Sequence, residues 1–234
     1  MKIALLGYGR MGKTIHSYAR KQNHQTVFIL DKDHEEGSLI EADVAINFSV
    51  PEAAVSNIKL ALKNKIPVVS GTTGWLNKYE EVTAFCEAQQ SAFLYASNFS
   101  IGVNLFFKIN RFVADLMKPY QTDYNANIKD IHHKHKLDAP SGTAISLAED
   151  ILNNSEYKEW QTEKANKGNL PIQSIREGEI AGTHTVSYIS DIDKISIKHQ
   201  AFKRDGFALG ALIASEWIHG KQGVFGMEDV LKKI

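Results

Sequence analysis

Cysteine is almost absent from this 234-residue sequence, which contains one, Cys86. One thiol cannot form a disulfide within the chain, which fits a reducing cytosol. The surrounding segment VTAFCEA favours a helix with a small buried thiol over a reactive one. Long apolar runs are absent too, since the run at the N-terminus breaks at Gly7, too early for a secretion signal or a membrane span. These absences predict a soluble, cytoplasmic protein.

Net charge is also absent, because 27 Lys and Arg residues balance 27 Asp and Glu residues. A protein that binds nucleic acid without sequence preference normally has a basic excess or stripe. A protein that binds a membrane surface normally has a strongly basic amphipathic helix, which this sequence lacks. The composition therefore predicts a globular protein with neither nucleic acid nor membrane as a partner.

The first motif that is present is a complete G-x-G-x-x-G, formed by Gly7, Tyr8, Gly9, Arg10, Met11 and Gly12. A short apolar run precedes it, a predicted helix follows, and the next β-branched strand ends at Asp31. The glycines permit a tight turn, close approach of a pyrophosphate and packing of helix on strand. Asp31 follows at about the spacing, roughly 20 residues, of an acid that binds a ribose hydroxyl. This constellation predicts a dinucleotide site.

Strands and helices continue to alternate through the first hundred residues. Strands are predicted at 44–48, 67–70 and 92–96, with helices at 51–61 and 75–90. This alternation predicts a parallel, doubly wound Rossmann-type sheet, whose ligands bind beyond the carboxyl ends of the strands. Small polar residues follow three of these strand ends and are candidate cofactor contacts: Asn47 to Ser49, Gly71, Thr72 and Thr73, and Asn98, Phe99 and Ser100.

The choice between NADH and NADPH stays open. Asp31 favours an unphosphorylated ribose, whereas Lys32 beside it could meet a 2′-phosphate. Residues 32–43 leave little room for a full crossover helix, so we expect the adenine side of the site to be open.

The pattern changes near residue 103. Helices are predicted at 104–117, 141–152 and 206–219, with strands at 124–133, 174–179, 185–189 and 194–199 and a polar surface excursion at 156–168. Strands without intervening helices predict a mixed or antiparallel sheet. The fold class is therefore α/β, with a Rossmann-type domain at 1–103 and a smaller α+β domain at 104–204.

The segment IHHKHKLDAPSGTA, residues 131–144, concentrates the titratable chemistry. A metal site is disfavoured, because Lys134 and Lys136 would place positive charge beside His133 and His135 even if those histidines shared a strand face. A solvated basic turn before a capped helix remains an alternative. The third interpretation is a site for a dicarboxylate and its proton, with Ser141 or Thr143 capping a helix whose first N–H groups bind a carboxylate. Crowding by cations would let Lys136 titrate near neutrality.

Residues 130–144, DIHHKHKLDAPSGTA, strongly resemble the signature of the dihydrodipicolinate reductase family, the 4-hydroxy-tetrahydrodipicolinate reductases of lysine and diaminopimelate synthesis. The resemblance extends over nearly the whole chain, through GYGRMG, GTTGW, NFSIGVN, REG, GTH and FALGA. Asp130 stands where many members carry Glu.

The resemblance implies NADH- or NADPH-dependent reduction of a cyclic dicarboxylic acid. It implies that His132 is a catalytic proton donor or acceptor, that Lys136 is the proton donor, and that His133 and the Ser141, Gly142 and Thr143 segment bind substrate carboxylates. It implies cofactor contacts from residues 7–12, Asp31, 71–73 and Ser97 to Ser100, and no metal. It further implies that residues 205–234 complete the cofactor domain, and that a homotetramer assembles through the second domain, which is both substrate-binding and oligomerisation domain.

Two other functions are compatible with the motifs. One is a different Rossmann oxidoreductase that acts on a small carboxylic acid. The other is a non-catalytic nucleotide-binding regulator, which would need the glycine motif but neither His132 nor Lys136.

Overall fold

A computed structural model describes residues 1–162, 166–203 and 205–233. In chain order its elements are β1 (Lys2–Leu6), α1 (Arg10–Lys21), β2 (Gln25–Asp31), β3 (His34–Gly37), β4 (Val44–Asn47), α2 (Pro51–Lys63), β5 (Val68–Ser70), α3 (Tyr79–Ala88), β6 (Ala92–Tyr95), α4 (Ile101–Met117), β7 (Asn125–His132), α5 (Gly142–Leu152), β8 (Trp160–Thr162), β9 (Leu170–Arg176), β10 (Gly182–Ile189), β11 (Lys194–Ala201), α6 (Asp205–Ile218), β12 (Gly223–Phe225) and α7 (Met227–Val230). None of the helices in these ranges is long and apolar enough to cross a bilayer.

The chain divides into two units, one of residues 1–101 and 205–234 and the other of residues 102–204. In the first unit, the described strands form a sheet of order β12-β6-β5-β4-β1-β2-β3. All neighbours pair in parallel except β2 and β3, which form an antiparallel hairpin. The predicted α/β fold class and Rossmann-type sheet are confirmed, and the expected lack of a crossover helix at 32–43 is explained by this hairpin.

Alternation along β1 shows why the sheet is covered on both faces. Ile3 and Leu5 pack into one core with α1 and α6, whereas Ala4 and Leu6 pack into a second core with α2 and α3. Successive side chains of a strand point to opposite faces, so a continuous apolar run requires two apolar layers. Cys86 of α3 lies in the second core, and burial, followed by the charge of Glu87, raises the pKa of its thiol to about 11. The predicted burial of this thiol is therefore confirmed.

In the second unit, the described strands form a sheet of order β11-β10-β7-β9-β8. The pairs β10–β11 and β10–β7 are antiparallel, and β7–β9 and β8–β9 are parallel. The predicted mixed sheet is confirmed. Helices α4 and α5 contribute Phe106, Ala114, Leu147 and Ile151 to the core on one face.

Some predicted boundaries were wrong. The helix expected at 75–90 begins at Tyr79, after a short 3-10 turn, because the indole of Trp75 is buried and donates to the Thr72 carbonyl. The polar excursion at 156–168 contains β8, whose backbone pairs with β9; residues 163–165 lie outside the described part. Strand β9 begins at Leu170, four residues before the predicted start, since Leu170 and Ile172 fill the core.

Glycine at position 210 is required by a close approach of α6 to the chain that follows β6. A Cβ atom at Gly210 would lie 1.7 Å from the carbonyl oxygen of Phe99. We expect Gly210→Ala to lower the free energy of unfolding by about 1–3 kcal/mol, the usual cost of overpacking an interior. Urea titration followed by circular dichroism measures this cost.

The matched control is Gly206→Ala on the same helix, where a Cβ would meet its nearest atom, Ser100 Oγ, at an ordinary 3.5 Å. Alanine is favoured over glycine in helices by about 1 kcal/mol, so this variant should be no less stable than the parent. Equal stability of the two variants would contradict the steric explanation.

Candidate active site

The glycine motif of the first unit forms a cradle that fits a dinucleotide. Gly7 has φ +99°, and a Cβ there would lie 2.3 Å from the Phe48 carbonyl oxygen. A Cβ at Gly12 would lie 2.2 Å from the Gly7 carbonyl oxygen. At Gly9, by contrast, a Cβ would meet no described atom within 4 Å, and Gly9 caps α1 without a side-chain hydrogen bond. The first and third glycines are thus fixed by internal packing, whereas the second leaves space beside free helix N–H groups, as a pyrophosphate requires.

The other predicted cofactor residues follow neighbouring parallel strands and therefore share one edge of the sheet. Asp31 ends β2 and is exposed, with Lys32 exposed in the turn after it. Thr72 follows β5 and is buried, with its Oγ1 accepting from the Ser49 backbone N–H at 2.9 Å. Phe48 and Phe99 are in ring contact at 5.6 Å. The loops at this edge also contain Tyr8, Gly71, Thr73, Ser97, Asn98 and Ser100, whereas Arg10 and Met11 lie in the first turn of α1.

Two features of these loops explain why glycine and small polar residues occur there. A Cβ at Gly71 would lie 2.3 Å from the ring of Phe48. The Asn47 amide donates to Ser70 Oγ at 3.0 Å, and Ser49 Oγ donates back to Asn47 Oδ1 at 2.8 Å. The ends of β4 and β5 and the loops that follow them are therefore hydrogen-bonded to each other, which holds this edge of the sheet in a fixed shape.

In the second unit, strand β7 places Asp130 and His132 on the buried face of the sheet. Its exposure alternates, so that Ala126, Ile128, Asp130 and His132 are buried and the residues between them are not. Asp130 is 0% exposed, and its Oδ1 lies 2.9 Å from His132 Nδ1. The two atoms are in close contact, but the contact does not have the geometry of a hydrogen bond.

Two residues from neighbouring strands complete this cluster. His184 of β10 pairs with Asp130 in the sheet register, and its Nε2 lies 3.2 Å from Asp130 Oδ1. Arg176 of β9 donates from Nη2 to Asp130 Oδ2 at 3.0 Å and to the Asp138 carbonyl at 2.7 Å. The sequence motifs contain both residues, but no local signal assigned them to the site, because only strand pairing brings them to Asp130.

Asp130 carries a negative charge that its surroundings stabilise. Burial alone would raise its pKa, but contacts from His132, His184 and Ser141 outweigh burial and hold the pKa of Asp130 well below its usual range. Asp130, His132 and His184 each offer an atom within 4.8 Å of the others, a spacing that a metal ion could use. An ion there would have to displace the Arg176 guanidinium and the Ser141 donors from the carboxylate, so a metal is disfavoured and its expected absence stays a prediction.

The predicted start of a helix after Ser141 is confirmed, and the residues at this start differ in exposure. Ser141 caps α5, and its Oγ accepts from the Ala144 N–H at 3.2 Å and donates to Asp130 Oδ1 at 2.8 Å. Its side chain is 2% exposed and is therefore committed within the unit. Gly142 is exposed, and a Cβ there would meet no described atom within 4 Å. The open part of this helix start is therefore at Gly142 and Thr143, whose N–H groups lie in its first turn.

Strand β7 ends at His132, so His133 and His135 do not share a strand face. Both lie in the following turn, closed by the Lys136 N–H and His133 carbonyl at 3.1 Å, with their rings 6.1 Å apart. The nearest charged partner of Lys136 that the structure shows is an acid, Asp138. Lys136 Nζ contacts Asp138 Oδ1 and Oδ2 at 2.7 and 2.8 Å, which holds the pKa of Asp138 below its usual range.

The dinucleotide cradle of one unit and the buried histidine–carboxylate pair with its open helix start in the other define an oxidoreductase of the Rossmann class, with a candidate anion site. Models of the dihydrodipicolinate reductase N-terminus and C-terminus match residues 1–99 and 102–231. The chain therefore belongs to the dihydrodipicolinate reductase family. It is an enzyme, a nicotinamide-dependent reductase of lysine and diaminopimelate biosynthesis.

Individual relatives agree with this membership. A 4-hydroxy-tetrahydrodipicolinate reductase of Christiangramia forsetii is 52% identical over 237 residues, covering 100% of this chain and 99% of the relative. Another, of Archaeoglobus fulgidus, is 33% identical over 262 residues and covers 99% and 100%. The solved structure of a dipicolinate-bound dihydrodipicolinate reductase from Paenisporosarcina sp. TG-14 has a TM-score of 0.81 at 24% identity, over 98% of both chains, and shares the fold.

The cradle predicts that Gly9→Ala weakens nucleotide binding without weakening the fold. Because a methyl group at Gly9 would meet only open space, stability should be unchanged, while the space for the pyrophosphate would shrink. We expect the KM for NADH and NADPH to rise about tenfold, equivalent to ~1.4 kcal/mol.

Steady-state kinetics and the melting temperature measure both effects. Gly12→Ala is the contrasting variant and should lower the melting temperature, because its Cβ would meet the Gly7 carbonyl. A Gly9→Ala enzyme with the parent KM would show that no phosphate lies near Gly9.

Proposed function

We propose that this chain reduces 4-hydroxy-tetrahydrodipicolinate to tetrahydrodipicolinate, with the first unit binding NADH or NADPH and the second binding the dicarboxylate. The observation that carries the proposal is that, within the second unit, one buried carboxylate contacts both a histidine and an open helix start. His132 contacts Asp130, and Asp130 accepts from Ser141, which begins α5. One carboxylate therefore holds a group that can exchange a proton and a helix start that can bind an anion. Reduction of an anionic substrate uses both groups.

Each group in the second unit has a proposed role. The N–H groups at Gly142 and Thr143, with His133, bind the substrate carboxylates. His132 and Lys136 hold the protons that the reaction exchanges. Loss of the hydroxyl as water takes up a proton at that oxygen and releases one from the adjacent ring carbon, and addition of the hydride takes up one more, so the reduction consumes one proton overall. The reduced nicotinamide, when bound, supplies the hydride. Asp138 contacts Lys136 Nζ at 2.7 Å and so holds the side chain of this lysine in place.

The cofactor residues are proposed in the same way. Residues 7–12 bind the pyrophosphate, Asp31 and Lys32 meet the adenine ribose, and residues 71–73 and 97–100 meet the nicotinamide side. The exposed carboxylate of Asp31 supports use of NADH, and the exposed ammonium of Lys32 supports tolerance of NADPH.

We also propose a cytoplasmic location, supported by the single buried thiol of Cys86.

The activity is tested by following oxidation of NADH and of NADPH in separate runs, with substrate made in situ from pyruvate and aspartate semialdehyde by its synthase. We expect oxidation that depends on both the synthase and this protein. We expect Lys136→Ala to lower turnover by about 10²–10⁴-fold, the usual contribution of a positioned acid or base, with little change in the Kd of the nucleotide.

Lys134→Ala is the matched control, since Lys134 is exposed in the same turn. It should turn over like the parent enzyme. Near-normal turnover by Lys136→Ala would remove Lys136 from the mechanism. Nucleotide binding without any oxidation would favour a regulator, and oxidation of a different small acid would favour another Rossmann oxidoreductase.

We further propose that four copies assemble through the face of the second sheet that α4 and α5 leave open. A cavity of about 1180 Å³ lies on this face, lined by polar and lysine side chains that include Asn127, Lys129, Gln173, Thr185 and Ser187. Ser187 of β10 and Ser196 of β11, opposite each other in the sheet register, are hydrogen-bonded at 2.9 Å. A broad, regular surface of this kind suits an isologous contact between identical sheets.

Sedimentation equilibrium should give the mass of a tetramer for the parent protein. Thr185→Arg, at the centre of the open face, should give smaller species, because it buries an unpaired charge in the contact. Thr122→Arg is the control, since Thr122 is exposed in the turn before β7. A monomeric parent protein, or a tetrameric Thr185→Arg variant, would rule out assembly through this face.

A further inference from the structure

Asp130 divides its two carboxylate oxygens between several partners. Oδ1 lies 2.9 Å from His132 Nδ1 and 3.2 Å from His184 Nε2, and it accepts from Ser141 Oγ at 2.8 Å. Oδ2 accepts from the Ser141 backbone N–H and from Arg176 Nη2, both at 3.0 Å. A single buried group therefore contacts three strands and the start of a helix.

The contact with Asp130 leaves one nitrogen of His132 for chemistry. Nδ1 faces the carboxylate, and Nε2 faces Gly182 at the start of β10. A Cβ at position 182 would lie 3.0 Å from His132 Nε2, tighter than ordinary side-chain contacts. Glycine at this position therefore keeps space beside the nitrogen that a proton could reach.

The same carboxylate also fixes the helix start that we assign to the substrate carboxylate. Ser141 donates to Asp130 with both its N–H and its hydroxyl, and its Oγ accepts from Ala144. The N–H groups of Gly142 and Thr143 lie between these anchored atoms along the chain. Their direction is therefore set by the link from Ser141 to Asp130.

We propose that Asp130 is a positioning residue that joins proton transfer to substrate binding, because it holds His132 through Nδ1 and the start of α5 through Ser141. The proposal deepens the proposed function and rests on it, since it takes His132 as the proton-exchanging group and Gly142–Thr143 as a carboxylate site. Asp130 itself touches neither substrate nor cofactor in this scheme.

The charges that face His132 come from each element packed around it. Asp130 precedes it on β7, Arg176 stands on β9, and His184 on β10 is 5.1 Å away between ring centres. His199 on β11 lies 6.4 Å beyond His184, and burial, then the charge of His184, lowers the pKa of His199. Arg176 balances the charge of Asp130, so this carboxylate still has a cationic partner after His132 gives up its proton.

The test compares Asp130→Asn, Asp130→Glu and Ser141→Ala by kcat across pH and by calorimetric binding of dipicolinate, a dicarboxylate probe. Asp130→Asn should lower kcat about 10- to 100-fold, somewhat less than the loss of a positioned acid or base, and weaken dipicolinate about tenfold. It should also move the alkaline limb of the kcat profile to lower pH, because a carboxylate favours the protonated imidazole and an amide does not.

The other two variants separate the two links. Asp130→Glu keeps the charge and should restore most of the pH profile. Ser141→Ala removes the hydroxyl link to the helix but leaves the contact between Asp130 and His132, so it should weaken dipicolinate while the shape of the pH profile stays that of the parent. An unchanged dipicolinate Kd in Ser141→Ala overturns the link to the helix, even if Asp130→Asn does not fold.

Asp150→Asn is the matched control, because Asp150 is a half-buried carboxylate on α5 that pairs with Arg111 at 3.7 Å, outside this cluster. It should cost stability without moving the pH profile. If Asp130→Asn behaves in the same way, with only its melting temperature lowered, Asp130 is a structural residue and the proposal fails.

Failure of the proposed function would look different. His132→Asn with parent kcat would remove the proton-exchange role from His132, whatever Asp130 does. In that case the dipicolinate measurements on Asp130→Asn and Ser141→Ala would still report on the link between Asp130 and α5.

Discussion

A buried carboxylate organises the second unit of this enzyme. Placing Asp130 out of water would cost several kcal/mol if it were not paired. The pairing comes from Arg176 and His184 on the neighbouring strands, from His132 two residues along the same strand, and from Ser141 at the start of α5. These partners lie on three strands and at the start of a helix. The contacts that stabilise this one charge therefore fix the register of the strands, the orientation of the His132 ring and the position of the helix start.

The first unit depends on close approach of backbone atoms rather than on charge. Side chains are excluded at Gly7 and Gly12 by carbonyl oxygens and at Gly71 by an aromatic ring, whereas Gly9 faces open space. The same residue type therefore has two different causes within one motif. Internal packing demands the first and third glycines, whereas the second leaves open space of the kind that a bound pyrophosphate needs. That contrast separates a dinucleotide cradle from an incidental glycine turn.

The sequence predicted correctly those elements that depend on contacts between residues a few positions apart. It failed for elements that depend on contacts between distant parts of the chain. The β1–α1–β2 start, the Pro51 helix start and the Ser141 cap all follow from residues a few positions apart. Strand β8 escaped detection because its three residues gain their structure from pairing with β9, not from alternation. The helix after Trp75 begins late because a buried indole holds the preceding turn, a tertiary contact that helix propensity does not register.

The sequence by itself determined the α/β class, the dinucleotide motif, and the grouping of His132, Lys136 and Ser141 in one short segment. These depend on spacing along the chain, which sequence contains directly. Only the tertiary structure decided that Lys136 is held by Asp138, that Ser141 is turned inward, and that Arg176 and His184 complete the cluster around Asp130. The physical reason is that a buried charge is compensated by whichever groups the fold brings to it. Strand pairing brings Arg176 and His184, which lie more than forty residues from Asp130 in the chain.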